Sequence, residues 1–315
     1  MKAIILNEAG GVENLIYTDI SKPTIKNNEV LVKTVSLSIN PVDYKARSNS
    51  GALSWLFGEE RPAILGWDLS GTIVEVGEDV TDFKIGDVVF GMANFPGKGN
   101  AYAEYVAIPS THLALKPANI SHQEAAAATL AALTAWQALV KKGNVKKGDK
   151  VLIHGASGGV GHYATQIAKY FGAYVYGTSS SKNREFVLQN GVDTHIDYTT
   201  EDFSEIVSDA DFVLNTVTDS LISKSIDVTK EGGIIVTIPS TTISNEDAEK
   251  AKSKSVNLSS LLVASSGEDM LQIAQLMEKG VLKSHVSKTF SFDEMKEAHL
   301  YLEKGRTVGK IAITI

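Results

Sequence analysis

Residues 151–161 read Val-Leu-Ile-His-Gly-Ala-Ser-Gly-Gly-Val-Gly, an apolar run that passes into a glycine-rich turn. A helical pattern follows from His162 to Phe171 and stops at Gly172. A strand, a glycine turn and a helix in this order are typical of a dinucleotide-binding βα unit. Ala156 takes the place of the first glycine of G-x-G-x-x-G. The motif alone is therefore a weak indication, and the order of strand, turn and helix around it is the stronger one. The alternative is an ordinary glycine-rich βα turn.

In a dinucleotide site, this turn would bind the pyrophosphate. Gly158 lacks a Cβ and would let the backbone approach the ligand at the start of the helix, while Gly161 would let the helix pack closely on the strand. The predicted pyrophosphate-binding residues are Ala156, Ser157, Gly158, Gly159, Val160 and Gly161.

The next strand indicates which dinucleotide to expect. NAD enzymes place Asp or Glu about 20 residues beyond the glycines. Residues 175–184 read Val-Tyr-Gly-Thr-Ser-Ser-Ser-Lys-Asn-Arg, with no acid before Glu185. Hydroxyls and a lysine can bind a 2′-phosphate that a carboxylate would repel, which favours NADPH. The alternative is that the serines only cap the next helix and Lys182 is a solvated charge. The predicted cofactor contacts here are Thr178, Ser179, Ser180 and Lys182.

Composition narrows the class of protein. The chain has 315 residues, 43% apolar and 21% charged, which is globular usage at a length that favours two domains. A net charge of -7 makes nucleic acid or an anionic membrane an improbable main partner and favours a small-molecule substrate. The absence of cysteine excludes disulfides and thiolate chemistry. The apolar run 3–6 is too short for a signal peptide or membrane span, so a cytoplasmic location is expected.

Periodicity divides the chain into regions. Residues 1–117 show short strand patterns between Gly and Pro, which predicts an all-β, barrel-like region. A capping box at Ser121 and Glu124 precedes the alanine-rich run 125–139 and predicts a helix there. Strand and helix patterns then alternate over residues 149–238, as in a parallel sheet with crossover helices.

With these residues in view, the chain resembles the zinc-independent quinone oxidoreductases related to zeta-crystallin, within the medium-chain dehydrogenase/reductase family. Segments 38–45, 66–77, 155–161 and 305–310 carry the resemblance. It implies an α/β protein with a discontinuous GroES-like β-barrel catalytic domain, residues 1–120 and 261–315. A Rossmann domain with a doubly wound parallel sheet, residues 121–260, would bind NADP. The resemblance also implies an active site in the cleft between these two domains, and a homodimer.

The resemblance also bears on metal chemistry. The zinc-dependent alcohol dehydrogenases of the family have Cys, His and an adjacent Glu where this chain has Asn40, Trp67 and Asp68. Neither Asn nor Trp replaces a zinc ligand, so no metal is expected. The implied activity is NADPH-dependent reduction of quinones or α,β-unsaturated carbonyls (enones, alkenals) by direct hydride transfer. Two alternatives are another alcohol or aldehyde oxidoreduction on this fold and a non-catalytic NADPH-binding role in sensing or structure.

The implied catalytic residues lie in one segment. The asparagine matching Asn40 faces the nicotinamide and substrate in quinone oxidoreductases, where its amide can donate to a developing oxyanion. The alternative is a structural turn before Pro41. Tyr44 or Lys45 would donate a proton or contact the cofactor. The substrate itself is not predicted, because the loop 48–61 contains no diagnostic group.

Further cofactor contacts follow from the resemblance. Thr134 would approach the nicotinamide, or would be a buried threonine that bonds back to a helix carbonyl. Tyr198 would help bind the 2′-phosphate. Lys310 would place its charge near the cofactor or a partner chain, or would be a solvated surface charge. The remaining implied contacts are Thr216 and Val217 at the adenine side or nicotinamide ribose, and Leu262 at the carboxamide.

Overall fold

The computed structural model describes all 315 residues. They form two compact units, the first made of residues 1–133 and 263–315 and the second of residues 134–262. The sequence predicted a boundary between a catalytic and an NADP-binding domain near residues 120 and 260. That assignment of functional domains stays a prediction. None of the helices combines the length and apolar character needed to cross a membrane.

The strands, in chain order, are β1 (Lys2–Leu6), β2 (Leu15–Asp19), β3 (Glu29–Ser38), β4 (Ala63–Ile64), β5 (Asp68–Val76), β6 (Val88–Met92), β7 (Tyr105–Pro109), β8 (Leu113–Leu115), β9 (Lys150–His154), β10 (Tyr174–Ser179), β11 (Thr194–Asp197), β12 (Ala210–Asn215), β13 (Thr229–Thr237), β14 (Asn257–Ser260), β15 (Val286–Ser291) and β16 (Lys310–Thr314). The α-helices are α1 (Pro41–Ser48), α2 (Ser50–Phe57), α3 (His122–Ala127), α4 (Thr129–Trp136), α5 (Gly159–Tyr170), α6 (Arg184–Gln189), α7 (Phe203–Ile206), α8 (Ile222–Val228), α9 (Asn245–Ser253), α10 (Gly267–Glu278) and α11 (Met295–Glu303).

The second unit is built on a six-stranded sheet in the order β11-β10-β9-β12-β13-β14. Every pair in it is parallel. The central strand β9 is buried along residues 151–154, as expected when helices cover both faces of a parallel sheet. The strand order reverses between β9 and β12, so the glycine turn after β9 lies at the switch point where doubly wound sheets bind ligands. The core of this unit includes Leu152, Val213 and Ile235.

The first unit contains a three-stranded sheet, β2-β1-β4, and a larger mixed sheet centred on β3. Strand β3 pairs antiparallel with β5, β7 and β16. The register of β16 places Ala312 opposite Ser38, so the end of the chain lies beside the residues that precede α1. This pairing brings Lys310 to Asn40.

The helix predicted after the capping box at Ser121 and Glu124 is confirmed, although the alanine-rich run that follows is divided between two helices. Helix α3 ends at Ala127, α4 begins at Thr129, and a π-helical segment follows over 137–142. The Thr129 hydroxyl donates to the Ala126 carbonyl at 3.0 Å, and Leu130 N–H donates to the Asp68 carboxylate at 2.9 Å. In a continuous helix that N–H would donate to Ala126, so a carboxylate from β5 caps the second helix.

Candidate active-site residues

The glycine turn explains why Ala156 is tolerated in the dinucleotide motif. Gly155, the residue before it, has a φ of +72°. A Cβ at Gly155 would lie 2.7 Å from Thr216 Oγ1 and 2.8 Å from Val217 Cγ2. Ala156 does not have a positive φ, is fully buried, and donates its N–H to the Thr178 carbonyl at 2.9 Å. The turn therefore needs its glycine one position earlier than the sequence pattern suggested.

The start of helix α5 fits an anionic ligand. A Cβ at Gly161 would lie 2.1 Å from the Gly155 carbonyl oxygen, which accounts for the close packing predicted at this position. The helix is preceded by Gly158 without a side-chain cap, so the N–H groups of its first turn are not capped by a side chain of the protein. Such N–H groups and the positive end of the helix dipole suit a pyrophosphate.

Two of the predicted cofactor-binding side chains on β10 make hydrogen bonds within the protein. Thr178 is buried, and its hydroxyl accepts the Gly155 N–H at 3.1 Å. Ser179 is also buried, with its hydroxyl 2.9 Å from His195 Nε2. These hydroxyls fix the turn and the neighbouring strand. Ser180, by contrast, is partly exposed and Lys182 is exposed, so their polar groups remain accessible for a 2′-phosphate.

Sequence reasoning missed an acid near this position. Asp197 ends β11 and accepts hydrogen bonds from the Thr199 N–H at 3.0 Å and hydroxyl at 2.7 Å. Hydrogen bonds from Thr199, and further ones from Ser181, hold the pKa of Asp197 below its ordinary value. The dinucleotide pattern predicts an acid at the end of β10, whereas Asp197 ends the next strand and directly precedes the predicted contact Tyr198, which is 66% exposed.

The remaining predicted contacts of the second unit differ in accessibility. The Thr216 hydroxyl donates to the His154 carbonyl at 2.7 Å and so closes the turn from the β12 side. Val217 is 55% exposed beside it. Ser157 accepts from Asn183 Nδ2 at 3.1 Å, which ties the glycine turn to the segment carrying Lys182. Two further predicted contacts lie elsewhere in the unit: Thr134 is buried in α4, and Leu262 is exposed.

In the first unit, Asn40 is the centre of a buried polar cluster. It precedes α1, is 2% exposed, and donates from Nδ2 to Asp68 Oδ2 at 2.7 Å. The Lys310 ammonium donates to Asn40 Oδ1 and, at 3.1 Å, to the Ile39 carbonyl, and lies 3.5 Å from Asp68 Oδ2. Lys310 is only 4% exposed, so the alternative of a solvated surface charge is wrong for this residue. Burial lowers the pKa of Lys310, and Asp68 and Asp43 oppose that effect.

A second buried group adjoins this cluster. Asp43 is fully buried, and its Oδ2 accepts the Asn40 backbone N–H at 2.6 Å. Burial raises the pKa of Asp43 to about 7, against the effect of that hydrogen bond.

A buried tyrosine and histidine form another contact in this unit. The Tyr102 hydroxyl is 3.0 Å from His299 Nε2, and burial lowers the pKa of His299 to about 3. No sequence signal linked Tyr102 and His299, which are 197 residues apart.

The other two predicted catalytic residues lie on α1. Tyr44 is partly buried, and burial together with Glu303 raises the pKa of its phenol, which makes it a weaker acid at neutral pH. Lys45 is exposed.

Asn40, Trp67 and Asp68, which stand where zinc-dependent relatives have their ligands, do not fit a catalytic zinc ion. The Trp67 indole N–H donates to the Gly97 carbonyl at 2.8 Å, and the ring is buried between aromatic neighbours. Both Asp68 oxygens already accept hydrogen bonds, and an ammonium stands beside them. No group of three His, Cys, Asp or Glu residues with metal-binding geometry occurs in the chain. A zinc ion here would have no imidazole or thiolate ligand and would face the Lys310 cation.

Comparison with known proteins agrees with this architecture. Residues 26–118 match the family described as alcohol dehydrogenase GroES-like domain, and residues 190–313 match zinc-binding dehydrogenase. The chain is 34% identical to 2-methylene-furan-3-one reductase of Solanum lycopersicum over 99% of its own length and 79% of that protein. The structure of the quinone oxidoreductase from Coxiella burnetii matches 100% of the chain, and 99% of its own, at 36% identity and a TM-score of 0.93. Escherichia coli quinone oxidoreductase complexed with NADPH matches over all of both chains at 25% identity and a TM-score of 0.88.

A GroES-like domain joined to a Rossmann-type parallel sheet defines a class of oxidoreductases. The chain belongs to the medium-chain dehydrogenase/reductase family. Its relatives include quinone oxidoreductases and an enone reductase, so the resemblance found in the sequence is confirmed, as is the predicted fold class.

Proposed function

We propose that this oxidoreductase uses NADPH to reduce quinones or α,β-unsaturated carbonyls by direct hydride transfer without a metal. The observation that carries the proposal is the Asn40 cluster, which presents a fixed amide donor where metal-dependent relatives have a zinc ligand. The reductase and quinone oxidoreductase relatives support this substrate class, and the NADPH complex of the Escherichia coli protein supports the cofactor.

The chain's own residues supply orientation and charge stabilisation. The start of α5, which lacks a side-chain cap, would hold the pyrophosphate of NADPH, and the exposed side chains of Lys182 and Tyr198 would hold its 2′-phosphate. Bound NADPH supplies the hydride. An acceptor activated by conjugation develops negative charge on its oxygen, which needs a hydrogen-bond donor rather than a Lewis acid. The amide nitrogen of Asn40 has two hydrogens, and Asp68 accepts one of them, which leaves the second for that oxygen. Tyr44 and Lys45 stay the predicted proton donors.

The test is NADPH and NADH oxidation by purified, metal-analysed protein. The acceptors are a benzoquinone, a naphthoquinone, an enone, a 2-alkenal and a saturated aldehyde. We expect turnover of the conjugated acceptors with NADPH, and none of the saturated aldehyde. Faster turnover of the saturated aldehyde would favour alcohol or aldehyde oxidoreduction instead. Tight NADPH binding with no turnover of any acceptor would favour a sensing or structural role.

The assembly and location are separate predictions. We expect a homodimer, which light scattering of the purified protein would test, and a cytoplasmic location, which fractionation of cells that make the protein would test.

A further inference from the structure

We infer that Asp68 and Lys310 are positioning residues for the proposed reaction: they fix the Asn40 carboxamide so that one amide hydrogen is presented to the substrate oxygen. This inference rests on the proposed function and deepens it. Neither residue has to touch the substrate, because each acts through Asn40.

The contacts determine which way the carboxamide faces. An asparagine side chain can rotate so that its oxygen and nitrogen exchange places, and only its hydrogen-bond partners distinguish the two orientations. Here the oxygen faces the Lys310 ammonium, which can only donate, and the nitrogen faces the Asp68 carboxylate, which can only accept. The reversed orientation would place donor against donor and acceptor against acceptor. The pair therefore allows a single orientation of Asn40.

The same contacts polarise the amide. A cation at Oδ1 and a carboxylate at the Nδ2 hydrogen both favour the resonance form in which the oxygen is negative and the nitrogen positive. Hydrogen bonds polarise one another in this way, and more strongly in a site of low dielectric constant. Asn40, Asp68 and Lys310 are all at least 96% buried, so water does not screen them. The remaining N–H of Asn40 thus becomes a stronger donor to a developing oxyanion.

Asp68 also connects Asn40 to a second element of the first unit. Its Oδ2 accepts from Asn40, while its Oδ1 accepts the Leu130 N–H at the start of α4. One buried carboxylate therefore holds the residue before α1 and the beginning of the helix that carries Thr134. Lys310 fixes the same point from β16 by its bond to the Ile39 carbonyl.

The experiment compares four variants with the unaltered protein. Lys310→Met alone would leave Asp68 charged and unpaired, and a buried charge without its partner is strongly destabilising. The main variant is therefore the double substitution Asp68→Asn with Lys310→Met, which removes both charges. Lys310→Arg retains the cation and tests rescue, and Asn40→Ala removes the donor. Arg47→Met is the matched control, since it removes another buried cation of the first unit, one that pairs with Glu303 and contacts neither Asn40 nor Asp68.

We expect the double variant to lose about 10- to 100-fold in kcat, as for a misplaced oxyanion donor, with an unchanged KM for NADPH. Asn40→Ala should lose at least as much, whereas Lys310→Arg and Arg47→Met should keep most of the kcat. A second readout does not need turnover: NMR of protein labelled with nitrogen-15 at asparagine. The Asn40 side-chain amide, assigned by its absence in Asn40→Ala, should resonate downfield and exchange slowly, and the double variant should lose both properties.

Failure of the positioning role and failure of the proposed function would give different results. An unchanged kcat and an unchanged Asn40 amide signal in the folded double variant, while Asn40→Ala is impaired, would overturn the positioning role and leave the proposed function intact. An equal loss in Arg47→Met would also overturn it, because the effect would then belong to any buried cation. Failure of the unaltered protein to reduce any conjugated acceptor would refute the proposed function and this inference with it.

Discussion

Substitution of Asp43 by Asn is expected to stabilise the first unit more at alkaline than at acid pH. Asp43 is fully buried, and its pKa rises from 3.8 in the unfolded chain to about 7 in the fold. A raised folded pKa means that the protonated form is favoured by folding. The stability contributed by this group is therefore fully present below pH 3.8 and is lost as the pH rises through about 7.

The size of the effect follows from the pKa difference. A rise from 3.8 to about 7 corresponds to about 4 kcal/mol between the acid and alkaline limits. Asparagine resembles the neutral acid, and its side-chain oxygen can still accept the Asn40 backbone N–H that Asp43 accepts at 2.6 Å. Between about pH 5 and about pH 8, the variant should therefore gain about 2 to 3 kcal/mol of stability relative to the unaltered protein.

Urea unfolding at both pH values measures this gain. Trp55 and Trp67 lie in the first unit, and a Trp136→Phe background removes the only tryptophan of the second, so that tryptophan fluorescence reports on the first unit. Any packing difference between Asp and Asn is the same at both pH values and cancels. Asp82→Asn, at an exposed site of the same unit, controls for the loss of one negative charge. A stability difference that does not change with pH, or that grows toward acid pH, would refute the raised pKa of Asp43.

Three further predictions concern the dinucleotide site. Gly161→Ala places a Cβ 2.1 Å from a backbone carbonyl oxygen, so unfolding should show a loss of about 1–3 kcal/mol and calorimetric titration a weaker affinity for NADPH. Ala156→Gly restores the full glycine motif but should lower stability by about 0.5–1 kcal/mol without tightening NADPH binding, because the backbone there has no positive φ; a marked gain in affinity would contradict the account of the turn. Lys182→Ala should raise the KM for NADPH about tenfold, the worth of one charge-assisted hydrogen bond, and leave the KM for NADH almost unchanged; equal effects on the two cofactors would show that Lys182 does not contact the 2′-phosphate.

Local patterns predicted those parts of the fold where neighbouring residues decide the structure. The strand over 150–154 and the helix that starts at Gly159 agree with their apolar periodicity and glycine stop. The capping box predicted the start of the helix after Ser121, but not the break near Ala128, because the break depends on Asp68, which is distant in sequence and accepts the Leu130 N–H. Local propensity cannot show such a tertiary contact.

The buried contacts of Asn40 could not be predicted from the local sequence either. Asn40 was identified by resemblance. Its partner Lys310 was expected near the cofactor or a partner chain, or in solvent, because no local sequence pattern shows that a lysine is buried. The register of β16 against β3 determines that burial. Asp197 was missed for a related reason, since adjacency in a parallel sheet brings it to β10 from the next strand.

The pairing of β16 with β3 also has a consequence for biosynthesis. Lys310 lies 270 residues beyond Asn40. A nascent chain can form the glycine turn and the parallel sheet of the second unit while its first strands still lack their β16 neighbour. Until residues 310–314 leave the ribosome, Asn40 and Asp68 remain without their cation and the exposed edge of β3 is open to improper pairing. The long-range contact that completes the Asn40 cluster therefore forms only after residues 310–314 have been synthesised, later than the contacts within the second unit.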